Sequence, residues 1–301
     1  MTGTTSPPPV EVAYGAVSVL EGAGRGAYPY AHSLLVRGAD ATLVVDPSLS
    51  LLDHVPAADL VLVSHGHEDH AAGLGGYDMP VHVHEEDLAA VRSRAAMVAG
   101  FGLAAPDAAD LDRRLRDTFR IVDRPDAQGF AEGTVFDLGG RTVTVVHLPG
   151  HTAGHCGFLV EPDGFLYVAD IDLTSFGPFY GDTGSDLAQF EASLRRCRGI
   201  EARWYGTAHQ KGVIEGAEEF RGRLDAYAGV VERRDATLLS LLAEPRTVAE
   251  LLGHRLVYRP HVEGAHVQPV ERRTLVQHLA RLSARGRIEE VAPGRFRAVV
   301  A

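Results

Sequence analysis

The sequence has only two cysteines among its 301 residues, Cys156 and Cys197. Two cysteines do not suggest a disulfide framework, so we expect both to be small buried residues. A metal role has to be considered for Cys156, because it lies close to His151 in the chain. No apolar run approaches the roughly 20 residues that a helix needs to cross a bilayer. Residues 1–9 do not have the basic-then-apolar order of a signal peptide, so we expect a cytoplasmic protein.

Basic residues are scarce relative to acidic ones, and the formal net charge is −11. This balance argues against a chain built mainly to bind nucleic acid. It suits a small-molecule substrate at least as well as RNA. The charge is uneven along the chain. Residues 230–301 hold 12 arginines and 8 acidic residues, a balance of +4, whereas the remainder has a balance of −15.

One short stretch, Ser64 to His70, is rich in side chains that bind metals. Its four metal-capable residues lie within six positions: His65, His67, Asp69 and His70. An apolar run of branched residues precedes the stretch and predicts a buried strand, and the residues after it resemble the first turn of a helix. The stretch is therefore predicted to be a strand-to-helix loop whose side chains converge. Imidazole and carboxylate together suit zinc, iron or manganese.

The pattern His-x-His-x-Asp-His resembles the metallo-β-lactamase superfamily. Three further landmarks follow in the order expected of that family: His151 in a Pro-Gly-His-Thr motif, Asp170 at the end of an apolar run, and His209 in Gly-Thr-Ala-His. The resemblance covers roughly residues 10–225. It implies an α/β (α+β) protein with the αββα sandwich of the family and a dinuclear metal site along one edge.

The resemblance also implies which residue holds which metal. The first ion is assigned to His65, His67 and His151. The second ion is assigned to Asp69, His70 and His209, and Asp170 bridges the two. Two zinc ions are the first choice, with iron or manganese as alternatives. Such a pair lowers the pKa of a shared water and yields a hydroxide nucleophile at neutral pH, so no serine or cysteine nucleophile is required. Asp69 is also expected to orient that hydroxide.

We therefore predict a metal-dependent hydrolase that uses a metal-bridged hydroxide to cleave a small ester, thioester or lactone. An iron-dependent oxidoreductase, such as a sulfur dioxygenase or a diiron oxygenase, is the alternative on the same fold. The presence of His67, where flavodiiron proteins have a carboxylate, argues against that type. A metal-dependent nuclease is the third hypothesis, but fewer than 40 residues separate Asp170 from His209, which leaves no room for the insert of the RNA-processing branch.

Several other positions carry open predictions. Asp46 either orients a metal-bound histidine from behind or simply starts a turn before Pro47. Residues 98–128 form either a cover over the substrate or a surface insertion. In the aromatic loop after the bridging carboxylate, Asp172 and Tyr180 are the polar candidates. The Tyr180 hydroxyl is predicted to donate to a developing oxyanion, with a solvent-facing hydroxyl as the alternative. His155 is predicted to be a structural histidine, although it lies near a ligand loop.

Two domains are predicted, the metallo-β-lactamase-like domain at residues 1–229 and a winged-helix-like module at 230–301. Thr247 to Glu250 has the pattern of a capping box, Pro269 opens a helix, and Pro293-Gly294 joins a hairpin. A winged helix suggests DNA, and four arginines of the module could meet phosphates: Arg272, Arg273, Arg281 and Arg285. We nevertheless expect a structural module, because the charge excess is mild and Glu271 lies where base-reading residues would be. Nucleic acid and membrane are not expected as partners, and a homodimer stays open.

Overall fold

Seven strands from the first half of the chain form one mixed sheet in the computed structural model, which describes residues 8–299. They are β1 (Val10–Tyr14), β2 (Val17–Glu21), β3 (Ser33–Arg37), β4 (Thr42–Val45), β5 (Leu60–Leu62), β6 (Val81–His84) and β7 (Gln128–Phe130). The strands lie in chain order, antiparallel from β1 to β4 and parallel from β4 to β7. Since parallel strands end at the same edge, the loops after β4 and β5 lie side by side.

Six strands from the middle of the chain form a second sheet. They are β8 (Val135–Asp137), β9 (Thr142–His147), β10 (Cys156–Glu161), β11 (Phe165–Tyr167), β12 (Trp204–Gly206) and β13 (Val213–Glu215). All neighbouring pairs are antiparallel except β11 and β12, which run parallel. The loops after β11 and β12 therefore leave the sheet at the same edge.

The main core lies between the two sheets. Alternate residues of a strand point to opposite faces, and one face of each sheet is lined with buried apolar side chains. The inner faces contribute Val19, Leu34, Val36, Leu43 and Val45 from the first sheet and Val143, Val145, Phe158, Val160 and Phe165 from the second. The outer faces are apolar as well and pack against helices. Four layers result, which confirms the predicted αββα sandwich.

Five of the helices in the described residues cover the outer faces of the sheets. Their bounds are α1 (Ala23–Gly26, a short turn), α2 (Glu68–Ala71), α3 (Leu88–Arg92), α4 (Arg94–Gly100), α5 (Ala105–Asp117), α6 (Leu187–Arg198), α7 (Ala217–Leu241), α8 (Val248–Leu251) and α9 (Val267–Ala284). Helices α3 to α5 pack on the first sheet, and α6 and α7 pack on the second. Asp186 caps the start of α6, because its side chain accepts from the backbone N–H of Gln189.

The C-terminal part is connected to the sandwich by one continuous helix. The first half of α7 packs on the second sheet through residues such as Phe220 and Leu224, and Leu238 near its end belongs to a separate C-terminal core. The predicted boundary between residues 229 and 230 therefore falls inside a helix that serves both cores.

The predicted elements of the C-terminal part are present. The capping box at Thr247 and Glu250 has both of its hydrogen bonds. Strands β14 (Arg246–Thr247), β15 (Ile288–Ala292) and β16 (Arg295–Ala298) form a small sheet in the order β14-β16-β15 beside α9. Naming this arrangement a winged helix stays a prediction.

Two compositional predictions can be compared with the structure. Cys156 and Cys197 are both buried with free thiols, and burial raises the pKa of Cys197 to about 12. Cys156 lies in the core between the sheets, where its thiol donates to the carbonyl of Gly154. Among the helices of residues 8–299, none is long and apolar enough to span a bilayer.

Candidate metal centre

Four loops at one edge of the sandwich carry the seven predicted ligands. The His65 loop follows β5 and leads into α2, where Asp69 and His70 occupy the first turn. The loop with His151 joins β9 to β10. Asp170 follows β11 and His209 follows β12, which are parallel neighbours, so both loops leave at the same edge.

The structure brings the predicted ligands together in two groups. One group consists of His65, His67, His151 and Asp170, and the other of Asp69, His70 and His209. Each residue offers one nitrogen or oxygen atom, and within a group these atoms all lie within 4.8 Å of one another. This division is the one that the family resemblance implied.

In the first group, three imidazole nitrogens surround one point. The Nδ1 atom of His67 lies 3.1 Å from Nε2 of His65 and 3.0 Å from Nε2 of His151. Oδ2 of Asp170 lies 3.3 Å from the same nitrogen of His151 and 4.0 Å from that of His65. Three ring nitrogens and a carboxylate oxygen that converge at these distances form a donor set that fits a bound metal.

The carboxylate of Asp170 divides its two oxygens between the groups. Oδ2 faces the first group, and Oδ1 lies 3.0 Å from Nε2 of His70 and 3.5 Å from Nε2 of His209. Oδ1 of Asp170 and Nε2 of His70 are both buried, and their 3.0 Å contact lacks hydrogen-bond geometry. Buried polar atoms without partners are costly. A cation between them would take up both lone pairs, so these residues fit a dinuclear site.

Asp46 supports the second group from behind. Its buried carboxylate lies 2.9 Å from Nδ1 of His70 and also accepts hydrogen bonds from Ser64 and Tyr167. The hydroxyl of Ser64 in turn contacts Nδ1 of His65 at 3.0 Å. These acceptors favour the proton on Nδ1 and leave Nε2 of both rings for a metal. Of the two roles considered for Asp46, this position behind His70 fits the one in which it orients a metal-bound histidine.

Backbone carbonyls orient two further rings. Nδ1 of His151 lies 3.0 Å from the carbonyl oxygen of Phe179. Nδ1 of His209 lies 2.7 Å from the carbonyl oxygen of Gly26. In both residues Nε2 is therefore the nitrogen that faces the site.

The ring of His67 has the opposite orientation, with Nε2 turned away from the site. Its Nε2 lies 3.0 Å from Oδ2 of Asp182, so Nδ1 faces the site. Burial acts to lower the pKa of His67, but Asp182 raises it to about 9 overall. Asp182 was not among the predicted residues. Nothing in the local sequence separates it from other loop aspartates, because its role depends on where the loop lies in the fold.

The surroundings shift the pKa values of the site's ionisable groups in opposite directions. Burial lowers the pKa of His65 well below its ordinary value and that of His151 to about 4. For His70, burial also acts to lower the pKa, but the neighbouring carboxylates, Asp170 first, raise it well above the ordinary value. Burial acts to raise the pKa of Asp170, but the surrounding histidines hold it well below its ordinary value. A metal at the second group must displace the proton that the raised pKa keeps on His70, so its binding would release a proton.

The predicted structural role of His155 is confirmed, and this histidine is linked directly to the bridging residue. Its Nδ1 donates to the carbonyl of Leu148, and its Nε2 accepts from the backbone N–H of Asp170 at 3.2 Å. Burial lowers the pKa of His155 to about 4. The neutral ring can therefore hold the backbone of Asp170 in place.

The family model described as the metallo-beta-lactamase superfamily matches residues 29–209, which is more than half of the chain. The chain belongs to the metallo-beta-lactamase superfamily. All seven predicted ligands lie inside the matched residues.

A solved superfamily structure shares the fold over nearly the whole chain. This metallo-beta-lactamase family protein from Thermus thermophilus has a TM-score of 0.69 and 23% sequence identity, and the match covers 94% of this chain and 99% of that one.

Two relatives of known name match parts of the sequence. A hydroxyacylglutathione hydrolase of Acidiphilium cryptum is 35% identical over 176 residues, which cover 56% of this chain and 60% of the relative. An atrochrysone carboxyl ACP thioesterase of Aspergillus fumigatus is 30% identical over 134 residues, which cover 43% of this chain and 40% of the relative. The chain thus spans about half the length of these curated relatives.

The prediction for Tyr180 has to be corrected. Its ring is buried, and its hydroxyl lies 2.8 Å from Nε2 of His278 and accepts from Arg234 at 2.8 Å. The hydroxyl therefore belongs to a polar contact with α7 and α9 and does not act on an oxyanion. The backbone of the loop approaches the site at Phe179, whose carbonyl contacts His151. The side chain of the next residue, Tyr180, points away from the site toward α7 and α9.

Asp172, the second polar candidate of that loop, is engaged locally. Its carboxylate accepts from the backbone N–H and the hydroxyl of Thr174. Burial raises the pKa of Asp172 to about 6. The local turn accounts for this side chain.

The segment at residues 98–128 has two parts with different surroundings. Phe101 stacks on His67, with ring centroids 5.7 Å apart and an interplanar angle of 27°. It also lines a cavity of about 210 Å³ together with His67, Met97 and Asp182. Farther along, Leu115 is buried under the first sheet. One end of the segment thus borders the site, and the rest packs on the sandwich.

Proposed function

We propose that the protein is a metal-dependent hydrolase that cleaves a small ester, thioester or lactone. The observation that carries this proposal is the placement of Asp170, whose two oxygens face the two groups of imidazole nitrogens separately. One group alone would be enough to hold a single metal ion. A carboxylate that faces both groups suits two cations and offsets the repulsion between them.

The predicted ligands would be divided between two metal ions. His65, His67 and His151 would hold the first ion, with Asp69, His70 and His209 at the second. When bound, two such ions lower the pKa of a shared water and polarise the carbonyl that is attacked. Zinc is our first choice, because mixed imidazole and carboxylate donors suit it, and iron or manganese would use the same donors.

Aromatic side chains beside the site favour a substrate with an apolar part. Phe179 meets the ring of His151 edge-on, with centroids 5.7 Å apart. Phe176 is 39% exposed, and its ring centroid lies 5.9 Å from that of Tyr258 in the C-terminal part. Exposed aromatic surface next to convergent polar groups is typical of a small-molecule site. One relative is named a thioesterase, which makes thioesters the first substrates to test.

We further propose that the C-terminal part is structural and does not read DNA. Arg281 pairs with Asp235, Glu191 and Glu232, and Arg285 pairs with Glu232. Charges already neutralised by carboxylates are poorly suited to phosphate contacts.

Glu271 supports the same view of the C-terminal part. Its buried carboxylate accepts from the backbone N–H groups of Leu256, Val257 and Tyr258. The residue thus holds the loop that carries Tyr258, whose ring lies beside that of Phe176, which explains a buried acidic residue near the start of α9.

The proposal can be tested with a panel of acyl substrates on protein loaded with zinc. We expect hydrolysis of at least one thioester, ester or lactone, little cleavage of a phosphodiester, and no oxygen consumption. His151→Ala should lose nearly all turnover. His147→Ala, which changes a histidine of the same loop region that is not a predicted ligand, should keep it. Oxygen consumption by iron-loaded protein with no hydrolysis of the panel would instead favour the oxidoreductase.

A further inference from the structure

Residues 176–182, called the support segment below, orient two histidines of the first metal group. The carbonyl oxygen of Phe179 lies 3.0 Å from Nδ1 of His151. The carboxylate of Asp182 lies 3.0 Å from Nε2 of His67. The ring orientations of both ligands therefore depend on where this one segment lies.

The described residues 176–182 form no helix or strand, so the support segment has to be held by other parts of the fold. Arg234 of α7 holds its first half. The buried guanidinium donates to the carbonyls of Phe176 at 3.0 Å and Pro178 at 2.6 Å, and also to the hydroxyl of Tyr180. Three hydrogen bonds from one planar guanidinium fix the position of a backbone segment more firmly than the flexible amine of a lysine would.

Helix α9 holds the second half. Gln277 donates to the carbonyl of Tyr180 at 2.9 Å, and Nε of Arg273 donates to the carbonyl of Gly181. A Cβ atom at Gly181 would clash with the side chain of Val270, so the segment packs closely against the helix. The carbonyls before and after Phe179 are thus held by α7 and α9, and the Phe179 carbonyl is left for His151.

Arg273 reaches the first metal group by a second route. Its Nη2 donates to the carbonyl of Phe101 at 2.8 Å, and the ring of Phe101 stacks on His67. One guanidinium therefore joins the two structures that flank His67, the stacked ring and the loop that carries Asp182.

The second metal group depends on other supports. His70 is held by Asp46, which follows β4, and His209 is held by the carbonyl of Gly26. Neither contact involves α7 or α9. A defect in the support segment should therefore affect one metal and spare the other.

We propose that Arg234 and Arg273 are positioning residues for the first metal ion, which act through the support segment on His151 and His67. The inference rests on the proposed metal-dependent function. It gives the C-terminal part a role in the chemistry, because α7 and α9 hold the ligands of one metal in their productive orientation.

The test measures zinc affinity at each group separately by competition with a chromophoric chelator. In a His209→Ala background, which leaves the first group, adding Arg273→Met should weaken zinc binding about 10- to 100-fold, the effect usual for residues that orient ligands. In a His151→Ala background, which leaves the second group, the same change should have no effect. Arg272→Met is the matched control, since Arg272 is exposed on the same helix, and it should change neither affinity.

Circular dichroism of the metal-free variants shows whether they fold. If Arg273→Met does not fold, Gln277→Leu and Arg234→Lys test the same contacts and should weaken the first group alone. Zinc affinity of the first group within twofold of the parent, or equal losses at both groups, would overturn the proposal. Failure of the proposed function would look different, because the parent protein itself would then lack a pair of bound metals or would hydrolyse no acyl substrate of the panel.

Discussion

Replacing Asp46 with Asn tests how the second metal group is held in place. The carboxylate of Asp46 is fully buried, and all of its contacts are with donors. Oδ1 accepts from the backbone N–H of Ser64 at 2.6 Å. Oδ2 accepts from the hydroxyls of Ser64 and Tyr167 and lies 2.9 Å from Nδ1 of His70. Asparagine keeps the shape but turns one of the two oxygens into an NH₂ donor, so one side of the residue must face a donor.

The two amide orientations differ in how many donors they oppose. If the NH₂ group replaces Oδ2, it opposes three donors. If it replaces Oδ1, it opposes only the N–H of Ser64, so this orientation should prevail. One unsatisfied buried donor costs about 1–3 kcal/mol of unfolding free energy. His70 then faces a neutral oxygen in place of an anion, its ring is a weaker ligand, and zinc affinity at the second group should fall about 10- to 100-fold.

The assay is a chelator competition that resolves the two zinc equivalents, with chemical denaturation of the metal-free protein alongside. Asp163→Asn is the matched control. Its carboxylate is also largely buried and accepts from the N–H of Ala16 and from Arg141, in the turn between β10 and β11. That variant should lose stability without losing zinc affinity. If Asp46→Asn binds its second zinc as tightly as the parent, the role assigned to Asp46 is refuted.

Three further predictions concern single features. Asp170→Ala should lose at least one metal and nearly all turnover, because no bridging anion remains; full metal content with near-normal rates would contradict a dinuclear site. Tyr180→Phe should lower the unfolding free energy by about 1–3 kcal/mol, because Arg234 loses a buried acceptor, and a large fall in kcat at unchanged stability would instead restore a catalytic role for the hydroxyl. Fluorescent duplex DNA should not bind at micromolar concentration, and binding that weakens steeply with added salt would contradict a structural C-terminal part.

The parts of the site that the sequence motifs and the family resemblance predict lie in loops that follow strands. The ligands from His65 to His70 lie within one loop, and their register follows from the strand before it. Asp170 and His209 each follow a strand, and the parallel pairing of those strands brings the two loops together. Asp46 follows β4, the parallel neighbour of β5, so its place behind the His65 loop is also a consequence of strand order.

The parts that could not be predicted depend on side-chain directions in irregular segments. Tyr180 and Asp182 are two residues apart in a loop without regular periodicity, yet one points to the C-terminal helices and the other to His67. The backbone of this loop is held by Arg234 and Arg273, which are distant in sequence. The contact of His155 with the backbone of Asp170 likewise exists only in the folded sandwich. Such relations between distant residues leave no trace in spacing or composition.

In the proposed function, two metal ions bridged by Asp170 are needed for hydrolysis. The most direct measurement is a titration of metal-free protein with zinc, in which bound zinc and the rate of thioester hydrolysis are followed in the same samples. We predict tight binding of two equivalents per chain and a rate that reaches its plateau only as the second is filled. Full activity in the metal-free protein, or a plateau at one equivalent with no further binding, would contradict the account.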